Sequence, residues 1–384
     1  VIVTASGAAK TLAALALTLA LASVAAAQQA VSSPDRQGAE AETARSFVPV
    51  PIVITEPALG GIGGGLAPVF IHKNAPVVRD GKKTVVPPNI TALAAAYTAN
   101  GSWSAGAGRV ASLPRHGIRY AVVGGYGDVN MDFYATLPSG EDKAFEVNGK
   151  GAFFHTRVLK EVVEPHLTVG LQYNFAKLRV APTDADTLPP FLAGRSVVNV
   201  ISTIGPVVEF DGRDNIFTPD SGELVHGHVD WSDDWLGSDF RYGLIDTHFY
   251  GYLSLGKSWP DGKNWVSGFR ADWQQAIGHP PFYLRPFINM RGVPAARYQG
   301  RTTLLVENEQ RWDFTRRWSV VVFGGLGKAF GGHYSKASDT QLVYGYGSGF
   351  RYLVVPKFKL RMGVDAARGP EDWAYYIIFG SAWR

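Results

Sequence analysis

The 384-residue chain contains no cysteine, which excludes a disulfide framework and thiol catalysis. Charge is scarce as well: Asp, Glu, Lys and Arg make up 18% of the residues, where soluble domains carry roughly 25%. The formal net charge of +4 is too small for a strong polyanion-binding field, and the aromatics lack a basic groove around them, so no nucleic-acid partner is expected. Long hydrophobic runs and, from about Leu59 onward, helical periodicity are also missing, so no transmembrane helix is expected. What is present is aromatic side chain (12%) and glycine (44 residues). A charge-poor, aromatic-rich chain has a large apolar surface that is either buried or faces lipid.

The N-terminal segment reads VIVTASGAAKTLAALALTLALASVAAAQQA. Lys10 supplies a positive start, Thr11–Leu21 an apolar stretch and Ala25-Ala26-Ala27 a small-residue cleavage site before Gln28, the pattern of a signal peptide over residues 1–27. Its apolar run of about 15 residues falls short of the roughly 20 that a membrane helix needs. Residues 28–46 read as a flexible polar leader. The remainder, 47–384, is expected to form one exported domain, beginning with the extended, Pro-punctuated segment FVPVPIVITEP.

Beyond the leader, short runs alternate apolar and polar residues at every second position between Gly, Pro, Asn and Asp turns. Phe358, Leu360, Met362 and Val364 oppose Lys359, Arg361 and Asp365. Trp265, Phe269 and Trp273 oppose Arg270, Asp272 and Gln274. Val225, Val229 and Trp231 oppose His226, His228 and Asp230. Period 2 makes these half-buried strands. They run about 9–13 residues, longer than the 5–6 usual in soluble sheets and matched to a tilted membrane-spanning strand. In lipid, strands satisfy their backbone only as a closed barrel. About 15 runs are visible, Ile118–Val158 is ambiguous, and single-chain bacterial barrels have even strand numbers. The expected fold is therefore all-β, a transmembrane antiparallel β-barrel of 16 strands, with 12 or 14 as alternatives, in the outer membrane of a Gram-negative bacterium.

The last run, WAYYIIFGSAWR, places Trp373, Tyr375, Ile377, Phe379 and Trp383 in alternation, which predicts a lipid-facing closing strand. It resembles the C-terminal signal of outer-membrane barrels, with Trp383 penultimate where an aromatic usually comes last. Opposite it, the glycines of GGIGGG (Gly60, Gly61, Gly63, Gly64, Gly65) are expected to form a weakly zipped strand. A lateral seam would then lie between them and Trp373, Tyr375 and Phe379. The same glycines lack the Gly-Lys-Ser/Thr and βαβ context of a phosphate loop.

Three further segments carry a family resemblance. DGRDNIFTPDSGELV (Asp211–Val225), NMRGVPAARYQG (Asn289–Gly300) and LRMGVDAARGPEDWAYYIIFGSAW (Leu360–Trp383) resemble, in order, the Asp-x-Arg-Asp turn, the Val-Arg-Gly loop motif and the final strands of the BamA/TamA superfamily, the outer-membrane assembly and translocation barrels also called bacterial surface antigens. FVPVPIVITEPALGGIGGGLAPVFIHK (Phe47–Lys73) looks like the start of barrel-only members. The resemblance implies a long loop folded back into the lumen, with Arg291 on the inner wall and Gly292 allowing its close turn. Glu307, Glu309 and Arg311 share a face on the following strand and are the candidate wall partners. Two departures stand out: Val293 replaces an aromatic, and Gly325 stands where the family places an acid, so the clamp would rest on Glu307 or Glu309 alone. The segment before the first strand leaves no room for periplasmic polypeptide-transport-associated domains, which implies a barrel-only member.

His226 and His228 with Asp230 have the donor types of a metal site but equally suit a polar barrel lining, and no metal or cofactor is assigned. No Gly-x-Ser-x-Gly elbow is present, and no catalytic residue is assigned. The resemblance implies a non-enzymatic barrel in outer-membrane biogenesis or in protein or lipid translocation through an in-folded loop and lateral seam. Its partners would be outer-membrane lipids and nascent outer-membrane proteins or lipid cargo. The alternatives are a passive pore or structural barrel and, behind it, a barrel-embedded hydrolase.

Overall fold

The structure, a computed structural model, describes residues 45–72, 74, 77–79, 82–84, 89–136, 142–163, 166–183, 196–215, 217–257, 264–331, 341–356 and 359–383. The expected signal peptide and the leader up to residue 44 lie outside these residues. Eighteen strands follow in chain order: β1 (Arg45–Ile54), β2 (Gly63–His72), β3 (Val77–Arg79), β4 (Lys82–Thr84), β5 (Asn89–Thr98), β6 (Trp103–Leu113), β7 (Ile118–Thr136), β8 (Asp142–Val163), β9 (Leu167–Pro182), β10 (Val197–Asp211), β11 (Gly222–Ser232), β12 (Tyr242–Lys257), β13 (Asn264–Gly278), β14 (Thr302–Asp313), β15 (Trp318–Phe330), β16 (Val343–Val355), β17 (Leu360–Arg368) and β18 (Trp373–Phe379). Apart from the small β3–β4 hairpin, they form one antiparallel sheet of 16 strands in sequence order, a nearly closed barrel. No ladder joins β18 to β1 among the described residues.

Alternation decides which face meets lipid. Phe249, Trp265, Phe269, Trp273, Val364 and Tyr375 are exposed on the outside, while His226, Asp246, Arg270, Gln274, Glu307 and Asp365 are buried within. Tyr97, Trp103, Trp231, Tyr344 and Trp373 cluster near the end that carries the long connections, which we call the loop end. Trp265, Trp312 and Trp318 mark the opposite, turn end. Two such aromatic girdles around an apolar band are the mark of a membrane barrel. No helix among the described residues is long and apolar enough to cross a membrane.

The ambiguous stretch after Ile118 forms the two longest strands, β7 with 19 residues and β8 with 22. At about 3.3 Å per residue they overrun a hydrocarbon layer of about 30 Å. Near their loop-end tips Met131, Phe133, Phe145 and Val147 are buried, so this extension is not a free hairpin.

Both edges differ from the sequence expectation. The barrel opens two residues early, at Arg45, and its edge strand β1 is the proline-containing segment, because proline is tolerated where its missing N–H faces an unpaired side. The glycines therefore do not line the seam. Gly63, Gly64 and Gly65 lie in β2, paired to Ile54, Val53 and Ile52 of β1 on one side and to β5 on the other. Gly60 and Gly61 sit in the β1–β2 connection with φ of 83° and 77°. At the other edge, Trp373 and Tyr375 do face outward, but β18 stops at Phe379. Gly380, with φ of 78°, turns the chain inward. Trp383 is 4% exposed and packs on Tyr250 and Tyr252 at ring distances of 6.2 and 5.9 Å.

This placement predicts different spectroscopic behaviour for two tryptophans. In liposomes containing brominated lipid, Trp373→Phe should reduce the quenchable fluorescence intensity, whereas Trp383→Phe should leave that intensity unchanged. Equal quenching of both would place Trp383 back on the lipid face.

Candidate functional site: the in-folded loop and the seam

Residues 279–301, between β13 and β14, fold as a hairpin that hangs inside the barrel. Its base is held by a bridge between Phe287 and Gln299 and by Ile288 N–H donating to Tyr298 O at 3.0 Å and Gly300 N–H to Pro286 O at 3.0 Å. The tip turns at Gly292, whose φ is 86°. A Cβ there would stand 2.8 Å from Gly369 N, so a side chain is excluded by conformation and by space together.

The wall that receives the hairpin is smooth. A Cβ on Gly325 would lie 2.5 Å from Glu307 Cγ and 2.8 Å from Met290 Sδ, and one on Gly345 would lie 2.5 Å from Arg291 O. Gly325, which stands where the family places an acid, is thus part of a groove that admits the loop backbone.

Arg291 is buried at the centre. Its Nη1 donates to Glu309 Oε2 at 2.8 Å and to Asp365 Oδ2 at 2.9 Å, and its Nε stands 3.8 Å from Glu307 Oε1, a charge contact rather than a hydrogen bond. Its guanidinium lies over the Phe323 ring, 3.5 Å from the centroid, which adds a cation–π contact. Glu307 is engaged mainly elsewhere, by Arg270 Nη1 at 2.6 Å. Arg270 also holds Asp272, and His248 lies between Asp246 and Asp272 at 2.7 and 3.0 Å. On the other side Arg351 grips both oxygens of Asp365. Three guanidiniums and four carboxylates (Asp272, Glu307, Glu309, Asp365) thus interlock from β13 to β17.

Of the sequence candidates, Arg291, Glu307 and Glu309 come together. Arg311 does not join them. It lies towards the turn end, where Nη1 donates to Pro219 O at 3.0 Å and Nη2 contacts Asp220. Asp365, Arg351 and Phe323 were missed as partners. Alternation places Asp365 on the polar face of its strand, but only the arch of the loop over β15 and β16 brings Arg291 to it, 74 residues along the chain.

The tip also touches both sides of the seam. Gly292 N–H donates to Tyr376 Oη of β18 at 2.9 Å. Ala295 N–H donates to Glu56 Oε1, just after β1, at 3.0 Å. Farther out, Arg297 binds Glu371 at 2.9 Å and Asp142 at 3.2 Å, and Phe282 meets Phe133 edge-on at 5.0 Å, so the overlong β7–β8 tips pin the hairpin from the loop end. At the turn end, residues 214, 217, 219 and 220 between β10 and β11 contact β14 and the residues flanking β17 and β18. Lys359 Nζ is 3.2 Å from Asp214 and 2.9 Å from Asp220, and Gly380 packs so closely on Phe217 that a Cβ would stand 2.7 Å from its carbonyl oxygen.

The histidines considered as metal donors are engaged with neighbours. His226 Nε2 is 3.3 Å from His228 Nδ1, His226 Nδ1 is 3.2 Å from Glu209, and His228 Nε2 is 3.5 Å from Asp230.

Fold and site together define a 16-stranded membrane barrel with an in-folded, arginine-anchored loop and an unladdered seam. Its fold is that of BamA-type barrels. It is similar to BamA from Haemophilus ducreyi lacking POTRA domains 1-3 (TM-score 0.59, 11% identity, covering 96% of this chain and 78% of that one). It is also similar to CdiB from Acinetobacter baumannii (TM-score 0.58, 10% identity, covering 88% of this chain and 60% of that one). No family model matches the chain, and no curated protein matches it in sequence.

Two measurements test the anchor. Asp365→Asn withdraws the shared charge from two buried guanidiniums, and breaking one partner of a buried pair costs about 3–5 kcal/mol. The variant should unfold at lower temperature in heat-modifiable electrophoresis and expose 279–301 to protease; Arg291→Lys should be intermediate, since a point charge cannot reproduce the fork. Unchanged melting and protection would remove the anchor role.

Burial, opposed by hydrogen bonds from Ala295 and Ala58, raises the Glu56 carboxyl above its usual value. For an acid whose folded value lies above its unfolded one, stability is greatest below the unfolded value and falls as pH rises through the interval between them. Glu56→Gln should flatten that part of the melting-temperature curve, and Glu56→Ala should lower it throughout. A wild-type melting temperature that rises with pH across this interval would contradict the assignment.

Proposed function

We propose that the protein is an outer-membrane barrel that works at its seam, in outer-membrane biogenesis or in translocation of protein or lipid cargo, with the in-folded loop as the latch behind that seam. The observation that carries the reading is the double attachment of the loop tip, Gly292 to Tyr376 on β18 and Ala295 to Glu56 beside β1. A loop so placed ties the state of the lumen to the state of the seam. The likeness to BamA and CdiB supports the same reading. The reading assigns no catalytic residue and no cofactor. The passive-pore alternative is disfavoured because the loop hairpin is buried inside the barrel and Trp383 packs inward on Tyr250 and Tyr252 at its turn end.

The test is made in liposomes and planar bilayers. The wild-type protein should conduct little and should accelerate folding of a second, unfolded outer-membrane barrel into the same liposomes. Arg291→Ala should raise conductance and lower that acceleration together. Steady high conductance of the wild type without any acceleration would favour the pore.

A further inference from the structure

The outer faces of β8 and β9 end in positive charge at the loop end. On β8 Val158, Phe154 and then Lys150 face outward, and on β9 Leu171 and then Lys177 and Arg179 do, while Leu178 between the last two is buried within. The apolar band stops where these cations begin. Across the sheet, Tyr97, Trp103, Asp128, Lys150 and Arg179 are successive partners from β5 to β9, so a row that starts in the aromatic girdle ends in two cations. Long connections lie on the outer side of bacterial barrels, which puts this level at the headgroups of the outer leaflet. Lys150 and Arg179 stand directly opposite each other, an arrangement that destabilises a ladder when both members carry the same charge. Lys150 Nζ is 2.8 Å from Asp128 Oδ2. Among the described residues Lys177 and Arg179 form no ion pair.

We infer that Lys150, Lys177 and Arg179 form a binding site for the phosphate monoester of a glycolipid in the outer leaflet. Three cations against the one carboxylate of Asp128 leave two positive charges, and a phosphate monoester carries about −1.5 to −2 at pH 7. Directly opposed side chains start about 5 Å apart, so their long stems reach a single phosphate. The Arg179 fork takes two of its oxygens, and the lysines add point charges. The surroundings favour an occupant that comes from the bilayer. Val198 stands opposite Arg179 and Val200 opposite Lys177, which offers apolar surface to acyl chains beside the phosphate. Farther out on the β7–β8 extension Asp132 and Glu146 face each other, about 13 Å beyond Lys150 at 3.3 Å per residue. They are too distant to neutralise the cations, and they repel a long soluble polyanion that would have to run past them. The site is fixed by register and face and is independent of the seam.

Binding is measured by native mass spectrometry of the folded protein in detergent, titrated with purified lipid A. The wild type should retain lipid A. Lys177→Ala/Arg179→Ala should bind it at least about tenfold more weakly, the effect of one lost charge-assisted hydrogen bond, and Arg179→Lys should fall between. Lys160→Ala, which removes an outward cation at the turn end of β8, should bind as the wild type does. Heat-modifiable migration shows that each variant is folded. Lipid A stripped of its phosphates should bind the wild type no better than intact lipid A binds the double variant. Inorganic phosphate at equal concentration should leave the complex intact, and phosphatidylglycerol, a singly charged diester, should bind at least about tenfold more weakly than lipid A. No retention by the wild type, unchanged affinity in the double variant, an equal loss in Lys160→Ala, or equal binding of the dephosphorylated lipid would overturn the inference. Displacement by inorganic phosphate would overturn the lipid occupant in favour of a free-anion site, and equal binding of phosphatidylglycerol would overturn the monoester.

Discussion

The buried contact of Arg291 with Glu309 and Asp365 is the constraint on which the interior depends. A buried guanidinium needs carboxylates, and buried carboxylates need cations. The chain meets both needs by interlocking Arg270, Arg291 and Arg351 with four acids. Because Arg291 is the member carried on a loop, the network cannot be completed unless the hairpin is inside the barrel. Docking thus follows from charge balance, and the glycine groove at Gly325 and Gly345 only makes it sterically available.

From that anchor the consequences run outward. With Arg291 fixed, Gly292 is set against Gly369 and reaches Tyr376, and Ala295 reaches Glu56. The ends of β18 and β1, which share no ladder, are held by side-chain and loop contacts instead. The β7–β8 tips, too long for a membrane strand, are explained by the same arrangement, since Phe133, Phe145 and Asp142 cover the loop from its open side.

The barrel was legible because its evidence is local: alternation of Phe249, Trp265 or Arg270 is set by the two-residue period of the strand, whatever the neighbours are. Arg291 and Glu309 were legible through motif and face. Asp365 was assigned to the correct face but not to Arg291, because that contact depends on how far the loop travels across the sheet, and no local pattern encodes that distance. A signal did exist: Gly349 stands opposite Asp365 in the register, and a Cβ there would lie 1.9 Å from the carboxylate, so a small residue beside an inward acid marked a crowded site. The glycine run was misplaced for a different reason. Glycine flexibility suggests a weak edge, whereas the edge strand is β1, whose Pro49 and Pro51 lack an amide hydrogen.

A barrel with a donor-poor edge would be expected to leak or to splay, since closure by a full ladder is what usually abolishes edges. Among the described residues the contacts that span the two edges are made by the interior loop and not by a backbone ladder. Side-chain and loop contacts can be broken one group at a time and re-formed, whereas a backbone ladder of the same strength would zip as a unit. In this barrel Arg291 and its carboxylates hold the loop that touches both β18 and the residue just after β1, while Pro49 and Pro51 leave β1 without two amide hydrogens.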